Sequence, residues 1–518
     1  MQGSKQFQPK MFVNFRLDEH IPEDNFYRVL KSVLDLSFIK AKTQFCYASK
    51  MGRPSLDPVV FFKIVLAGYL ENICSDRALE RMINMRLDLR FFIDYDIDEK
   101  VPDHSTICKT RQRIPTDIFE EVFNHILLLC VKEGLVDGHF QSIDSAYINA
   151  NASIDKLTEA KLIERDPKDY LEEIKRQDGA KFTYGQDPIE QAEKRMKKTQ
   201  NHLEAQRRYR QKKITKQDGG KQHRKNRRRF LSNATHQSTT DPDARIAKKN
   251  GKPRMLCYSS MMAVDTMHNV ITHMSAELAH KKDSRYLIKT VKSTQERLQK
   301  MGTKVNTILA DAGFSSGENY ATLEALNLDY YIPVHGSYKD KREGFEYDPK
   351  EDVYICQKNH KLEYRQTDKS GGYTTKRYLS RKKVCNHCPI RTQCVGSRGH
   401  KEISHTVYRK QYDDMNAKLK TEQGQYSYDL RMMTVEPVFG TLQQHYGLRW
   451  INTRGLDSAN KVMLMAAAAV NLKKLIKSKL NQSIFAVFVR DSLQVASWLE
   501  LGFRSCYITT LSSFTKHR

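Results

Sequence analysis

Residues 141–150 read QSIDSAYINA. This short stretch decides the fold, because an apolar run broken by one acidic residue marks a strand that buries its neighbours while Asp144 faces a cleft. Two further stretches repeat the theme. TILADAGFSSGENY at 307–320 ends a buried strand on Asp311, with Gly313 just beyond. YDLRMMTVEPVFG at 428–440 reads as helix and carries Glu436. A single acidic residue at a strand end is more often a cap or turn former. Three in such contexts, spread over nearly three hundred positions, point to elements that the fold must bring together.

Working outward from Asp144, strand signals resume at 255–264 (MLCYSSMMAV) and 270–276 (VITHMSA), joined by the turn-like DTMHN. A helix is expected at about 283–300, a strand at 304–311, a helix near 317–326 and a strand at 330–334. The succession strand, strand, strand, helix, strand, helix, strand predicts a mixed α/β sheet of the ribonuclease H type. This core is expected over 141–155, 251–340 and 401–480, with helix returning from about 408 to 478.

The remaining segments flank or interrupt that core. Residues 1–140 predict an all-α N-terminal domain. Pro58 after Asp57 suits a helix first turn, Ser75 suits a cap, and Ser105 or Thr106 is expected to cap a third helix. That third helix carries Lys109, Arg111 and Arg113, compatible with a helix-turn-helix reader of DNA or with plain helical packing. The first insertion, 156–250, reads as basic and mostly helical. Residues 191–230 hold sixteen Lys/Arg against three Asp/Glu, a surplus of thirteen and half the net charge of +26. Its densest part, KQHRKNRRRF, contributes Lys221, Arg224, Lys225, Arg227, Arg228 and Arg229, expected to contact a polyanion. The second insertion, 341–400, alternates with turn residues like small hairpins. The tail at 481–518 offers no pattern.

Composition narrows the partners. A net charge of +26 and a pI near 9.5 favour a nucleic-acid partner over a membrane surface. No run approaches the roughly 18 apolar residues of a membrane span, and the N-terminus lacks the apolar stretch of a secretory signal. A cytoplasmic, nucleoid-associated location is expected. In that compartment cysteines stay reduced, so Cys356, Cys385, Cys388 and Cys394 could close a tetrahedral structural zinc site or pack as plain thiols in small hairpins.

The chemistry suggested by the carboxylates is phosphodiester cleavage. Two Mg²⁺ or Mn²⁺ ions about 3.5–4 Å apart activate a water and stabilise a leaving oxygen, and hard oxygen ligands suit both metals.

At this point the residues resemble a known family, the DDE transposases of bacterial insertion sequences, in the large IS-four-like group with a ribonuclease H-like core. GRPSLDPVVFFKIVLAGYLENICSDRALE (52–80) and PDHSTICKTRQRI (102–114) resemble its N-terminal region. IDSAYINANAS (143–153) and ADAGFSSGEN (310–319) resemble its two aspartate segments, and TTDPDAR (239–245) a segment before its second strand. RMMTVEPVFGTLQQHYGLRWINTRGL (431–456) resembles its glutamate region. The resemblance implies that Asp144, Asp311 and Glu436 are a metal-binding catalytic triad, that Tyr428 and Arg431 contact DNA phosphate, and that Arg454 joins them. One departure stands out: Gln443 occupies the position where the pattern expects lysine.

The resemblance further implies binding of terminal inverted repeats in double-stranded DNA, cleavage, and joining of the 3′ ends to target DNA by a homodimer or larger assembly, away from membranes. Two other readings stay open: a non-catalytic DNA-binding regulator or inactivated descendant, and a metal-dependent endonuclease without strand transfer.

Overall fold

Phe140–Asn149 forms one unbroken strand, β1, inside a six-stranded sheet. The structure is a computed structural model and describes residues 15–48, 52, 55–159, 172, 187–214, 231–233, 236–248, 253–336, 338, 342–370, 373–395 and 399–481. After β1 the chain forms β2 (Leu157–Glu159), β3 (His236–Ser238), β4 (Arg245–Ala247), β5 (Met255–Asp265), β6 (Ile271–Leu278), β7 (Thr307–Ala310) and β8 (Asp329–Tyr331). β5 pairs antiparallel with β1, placing Met262 opposite Asp144, and β6 pairs antiparallel with β5. β7 runs parallel to β1 and β8 parallel to β7. Across the sheet the order is therefore β6-β5-β1-β7-β8. β4 lies on the same edge of β5 as β6, end to end with it.

The continuous apolar character of β5 follows from burial along nearly its whole length. Asn269, in the left-handed region at φ 58°, turns the chain from β5 into β6, and the Asp265 N–H donates to the Val270 carbonyl across that turn at 2.8 Å. Helix 456–481 runs beside β6. There Asn460 and Asn471 take the place of a neighbouring strand: Asn460 accepts from the Ala276 N–H at 2.7 Å, and Asn471 accepts from and donates to Ile271 at 2.9 and 2.8 Å. Backbone groups that would otherwise remain open are thus satisfied by side chains. The same helix buries the run at 462–470.

The N-terminal helices share one apolar core with the sheet. Asp57 caps Pro58–Leu70 through the Val59 N–H, as the sequence suggested, and Ser75 caps Asp76–Met85. The cap of His104–Arg113 is Asp103, not Ser105 or Thr106; its carboxylate accepts from both of their N–H groups. Lys461, buried on helix 456–481, donates to the carbonyls of Arg111 and Ile114 at 3.0 and 2.6 Å, fastening the end of that helix to the core.

Both insertions contain strands. β2 and β3 pair into a ribbon at the base of the first, which also holds a helix at Pro188–Ile214. The core sheet resumes at β4, ahead of the boundary at 250 that composition suggested. The second insertion folds into β9 (Phe345–Asp348), β10 (Val353–Cys356), β11 (Lys361–Ser370), β12 (Tyr373–Ser380) and β13 (Glu402–Thr406), an antiparallel meander around Tyr354, Leu362, Tyr378 and Ile403. Among the described residues no helix is long and apolar enough to cross a membrane.

Candidate active site

Because β1 and β7 are parallel neighbours with Ile143 opposite Ala310, the next residues are Asp144, midway along β1, and Asp311, just past the C-terminal end of β7, side by side. That is the place where open α/β sheets hold their sites. Asp311 leaves β7 and caps the short turn Ala312–Phe314, accepting from the Gly313 N–H at 2.9 Å. A Cβ on Gly313 would lie 3.0 Å from the Asp311 Oδ1 and 3.7 Å from the Asp283 Oδ2. Glycine therefore leaves room between two carboxylates.

Asp144 accepts from the Ser145 N–H at 2.7 Å. Burial pushes its pKa up to about 6; the charges of Asp311 and Asp283 push the same way, and Arg431 pulls against them. Arg431 is buried, with Nη1 3.8 Å from the Asp144 Oδ2. Its Nε has no hydrogen-bond partner among the described residues. A buried guanidinium with an unused donor beside carboxylates suits an anion such as phosphate.

Asp283 is the residue that sequence reading missed. It begins the turn Asp283–Arg285, which packs against the Asp311 turn. The buried Asn319 holds the two turns together, donating to the Ser284 and Phe314 carbonyls at 2.9 and 3.0 Å. A lone Asp in KKDSR before an expected helix looks like an ordinary helix-start residue, so no local signal distinguishes it.

Helix Glu422–His445 packs across β1 and β7 and buries Ser427, Arg431, Thr434, Val435, Val438, Phe439 and Leu442. Glu436 lies on its exposed side, just before Pro437, and makes no hydrogen bond or ion pair among the described residues. Asp144 and Asp311 are brought together; Glu436 shares their helix-covered strand end without joining them. Among the described residues no three His, Cys, Asp or Glu side chains stand close enough to share a metal ion. Tyr428 is partly exposed, its ring centroid 5.9 Å from the Arg431 guanidinium.

Family comparison now bears on this geometry. Residues 15–113 match a family model described as a transposase domain (DUF772), and residues 355–476, containing the Glu436 helix, match one described as a transposase DDE domain. Two separate segments of the chain thus resemble transposase domains, the second of them a DDE domain. Solved structures match as well, among them two complexes. One, the piggyBac transposase synaptic complex with hairpin DNA, is 11% identical over 88% of this chain and 75% of that one, at a TM-score of 0.28. The other, the Mos1 mariner paired end complex with Mn, is 10% identical over 57% of this chain and 64% of that one, at 0.14. No curated protein matches.

The other contacts expected from the sequence fare unevenly. Lys109 and Arg113 are exposed on helix His104–Arg113. Arg111 is not available to DNA: it is buried and forms a two-pronged pair with Asp76, at 2.8 and 2.7 Å. Helical spacing could not reveal which basic residue of the three turned inward. Gln443 is partly buried and Arg454 exposed. Lys221, Arg224, Lys225, Arg227, Arg228 and Arg229 lie outside the described residues, as does the tail beyond 481.

The motif TTDPDAR proves structural. Asp241 is fully buried, accepts from the Tyr258 hydroxyl at 2.7 and 2.8 Å, and accepts from the Gly455 N–H at 3.1 Å. Asp243 accepts from the Leu456 N–H at 3.1 Å. Both satisfy donors at the start of helix 456–481.

Cys356, Cys385, Cys388 and Cys394 line one cavity of about 330 Å³ beside His360. Thiols and an imidazole are the donor types zinc takes, but no three of them stand near enough to share one ion. The spacing does not fit a closed tetrahedral centre.

Proposed function

We propose that this transposase binds the terminal inverted repeats of an insertion sequence, cleaves DNA phosphodiesters and joins the freed 3′ ends to target DNA. The observation that carries the reading is the placement of Asp144 and Asp311 on adjacent parallel strands beneath a helix bearing Arg431 and Glu436. The order β6-β5-β1-β7-β8, antiparallel on one side of β1 and parallel on the other, supports a ribonuclease H-like core.

The donor set fits divalent metal: Asp144 and Asp311 offer hard oxygens side by side, where β7 ends against β1. With Glu436 as the third carboxylate, these residues would hold two Mg²⁺ or Mn²⁺ ions. Such ions, when bound, polarise the scissile phosphate and lower the pKa of an attacking water. The chain's own contribution is positional. The pairing of β1 with β7 keeps the two aspartates together, and Gly313 leaves space open between Asp311 and Asp283. Arg431, whose buried Nε has no partner among the described residues, would bind a phosphate oxygen, with Tyr428 beside it. Lys109, Arg113 and Arg454 add exposed cations for the DNA backbone. Two element ends must be processed together, so a dimer or larger assembly on DNA follows.

A second reading is favoured by a specific observation: Glu436 stands apart from the aspartates, and Gln443 replaces lysine. A non-catalytic DNA-binding descendant would tolerate both. One assay separates the readings. Purified protein is given a labelled inverted-repeat duplex, target DNA and Mg²⁺. Metal-dependent nicking followed by joining, abolished in Asp144→Asn, Asp311→Asn and Glu436→Gln with DNA binding retained, supports the proposal. Nicking without joining makes the protein an endonuclease, and binding without nicking makes it a regulator.

A further inference from the structure

Asp283 does not do the ordinary work of an Asp before a helix, which is to cap it. The cap positions of the turn Asp283–Arg285 and of helix Leu287–Lys300 fall to Lys282 and Tyr286, and neither uses its side chain as a cap. The Asp283 carboxylate reaches the Asp311 turn instead. Its Oδ2 is 3.7 Å, and the Asp311 Oδ1 3.0 Å, from the point that a Cβ on Gly313 would occupy. The charge of Asp283, like that of Asp311, is felt at Asp144. Buried Asn319 fixes this approach, since it ties the two turns together through the Ser284 and Phe314 carbonyls.

Arg431 points independently to a ligand at the same place. It is only 8% exposed, its Nε has no partner among the described residues, and its Nη1 lies 3.8 Å from the Asp144 Oδ2. A buried donor left open beside carboxylates is costly unless something bound there completes it. The carboxylates repel one another, and a divalent cation between them removes that cost. Mg²⁺ keeps several waters and takes only one or two carboxylates from a protein, and Mn²⁺ favours the same oxygen ligands. Asp144 with Asp311, and Asp311 with Asp283, make two such pairs. Two ions can therefore be held although no three acidic side chains among the described residues meet at one ion.

We propose that Asp283 is a fourth metal-binding carboxylate of this site, holding one divalent cation with Asp311 across the gap at Gly313 while Asp144 and Asp311 hold the other. The proposal deepens the phosphoryl-transfer reading and rests on it. Asp311 becomes the shared ligand. Glycine at 313 becomes a requirement of the site, because a methyl group there would crowd an oxygen of each carboxylate.

The test is a Mn²⁺ titration of the full-length protein without DNA, followed by the electron paramagnetic resonance signal of the free ion, so that it reads binding and needs no cleavage. Wild-type protein should bind Mn²⁺ at two sites. Asp283→Asn, nearly the same shape, should weaken one of them at least about 10-fold, the lower end of what losing even an outer-sphere partner costs, and spare the other. Asp283→Glu, which returns the charge on a longer stem, should recover part of that loss, and Gly313→Ala should imitate Asp283→Asn. Glu296→Gln removes an exposed carboxylate from the next helix and should change neither site. Thermal unfolding in chelator checks that each variant is folded. Two sites of wild-type affinity in Asp283→Asn, alongside loss of Mn²⁺ in Asp144→Asn, would overturn the proposal and leave the transposition chemistry standing. Fewer than two sites in the wild type, or a loss in Asp283→Asn that Asp283→Glu does not relieve at all, would overturn it too. Two sites that depend on Asp283 in a protein that never nicks DNA would support the metal assignment and remove only the transposition chemistry.

Discussion

Replacing Asp144 with Asn should make the protein more stable, and more so at alkaline than at acid pH. The Asp144 carboxyl is raised from an ordinary 3.8 to about 6, first by burial and then by neighbouring Asp311. Its side chain is only 18% exposed, so solvent screens it little. A rise of that size corresponds to roughly 3 kcal/mol of cost for keeping the anion in the folded protein. A raised folded pKa means the associated stability is complete below about pH 3.8 and is lost as pH climbs through 6. The wild type is therefore at its greatest disadvantage at pH 8, by roughly 3 kcal/mol, and at pH 5 by roughly half that. Asn keeps an oxygen for the Ser145 N–H but carries no charge. With about 2.1 cal/mol/K of unfolding entropy per residue, a chain of 518 residues shifts its midpoint by about 1 °C per kcal/mol. Thermal unfolding in chelator should show Asp144→Asn ahead by about 3 °C at pH 8, with the gap about halved at pH 5. A gap that stays constant or widens toward acid would refute the reasoning.

Four further outcomes are expected. Arg431→Met removes the cation that opposes the rise at Asp144, so the acid limb of any metal-dependent nicking should move to higher pH in a pH–rate profile; an unmoved limb would detach Arg431 from the site. Asp76→Asn strands the buried Arg111 and should cost about 3–5 kcal/mol in denaturant unfolding, while the folded fraction binds DNA as before. Gly317→Ala would place a Cβ 2.3 Å from the Tyr408 Cβ and should lose about 1–3 kcal/mol from overpacking, with a normal midpoint counting against the packing described. Asp241→Ala leaves the Tyr258 hydroxyl and Gly455 N–H without their acceptor and should destabilise by roughly 2–4 kcal/mol, read as a lowered unfolding midpoint without any change in metal dependence.

The strands of the core sheet could be read from the chain because each carries its own periodic or continuous apolar signal. Asp144 and Asp311 could be paired because one breaks and the other ends such an apolar run, although β1 proves to continue past Asp144 to Asn149. What could not be read depends on which way a side chain turns. Arg111 and Arg113 sit on one short basic helix, yet one is buried on Asp76 and the other faces water. Asp103, Ser105 and Thr106 are all capping residues by type, and only the backbone path selects Asp103. β4 is three residues long, too short to show a period. Asp283 gains its meaning only from Asn319, which closes its turn onto that of Asp311. The helical phase of Glu436 was likewise invisible: its neighbour Val435 is buried while it is exposed.

Consider last the ribbon of Leu157–Glu159 with His236–Ser238. Three residue pairs bring the two ends of the first insertion together before the chain re-enters the sheet. Chain lying between two points already clasped can lengthen, shorten or be exchanged with little entropic penalty to the scaffold outside. The clasp thus makes the basic segment a replaceable cartridge, free to diversify while β1 and β5 keep their register.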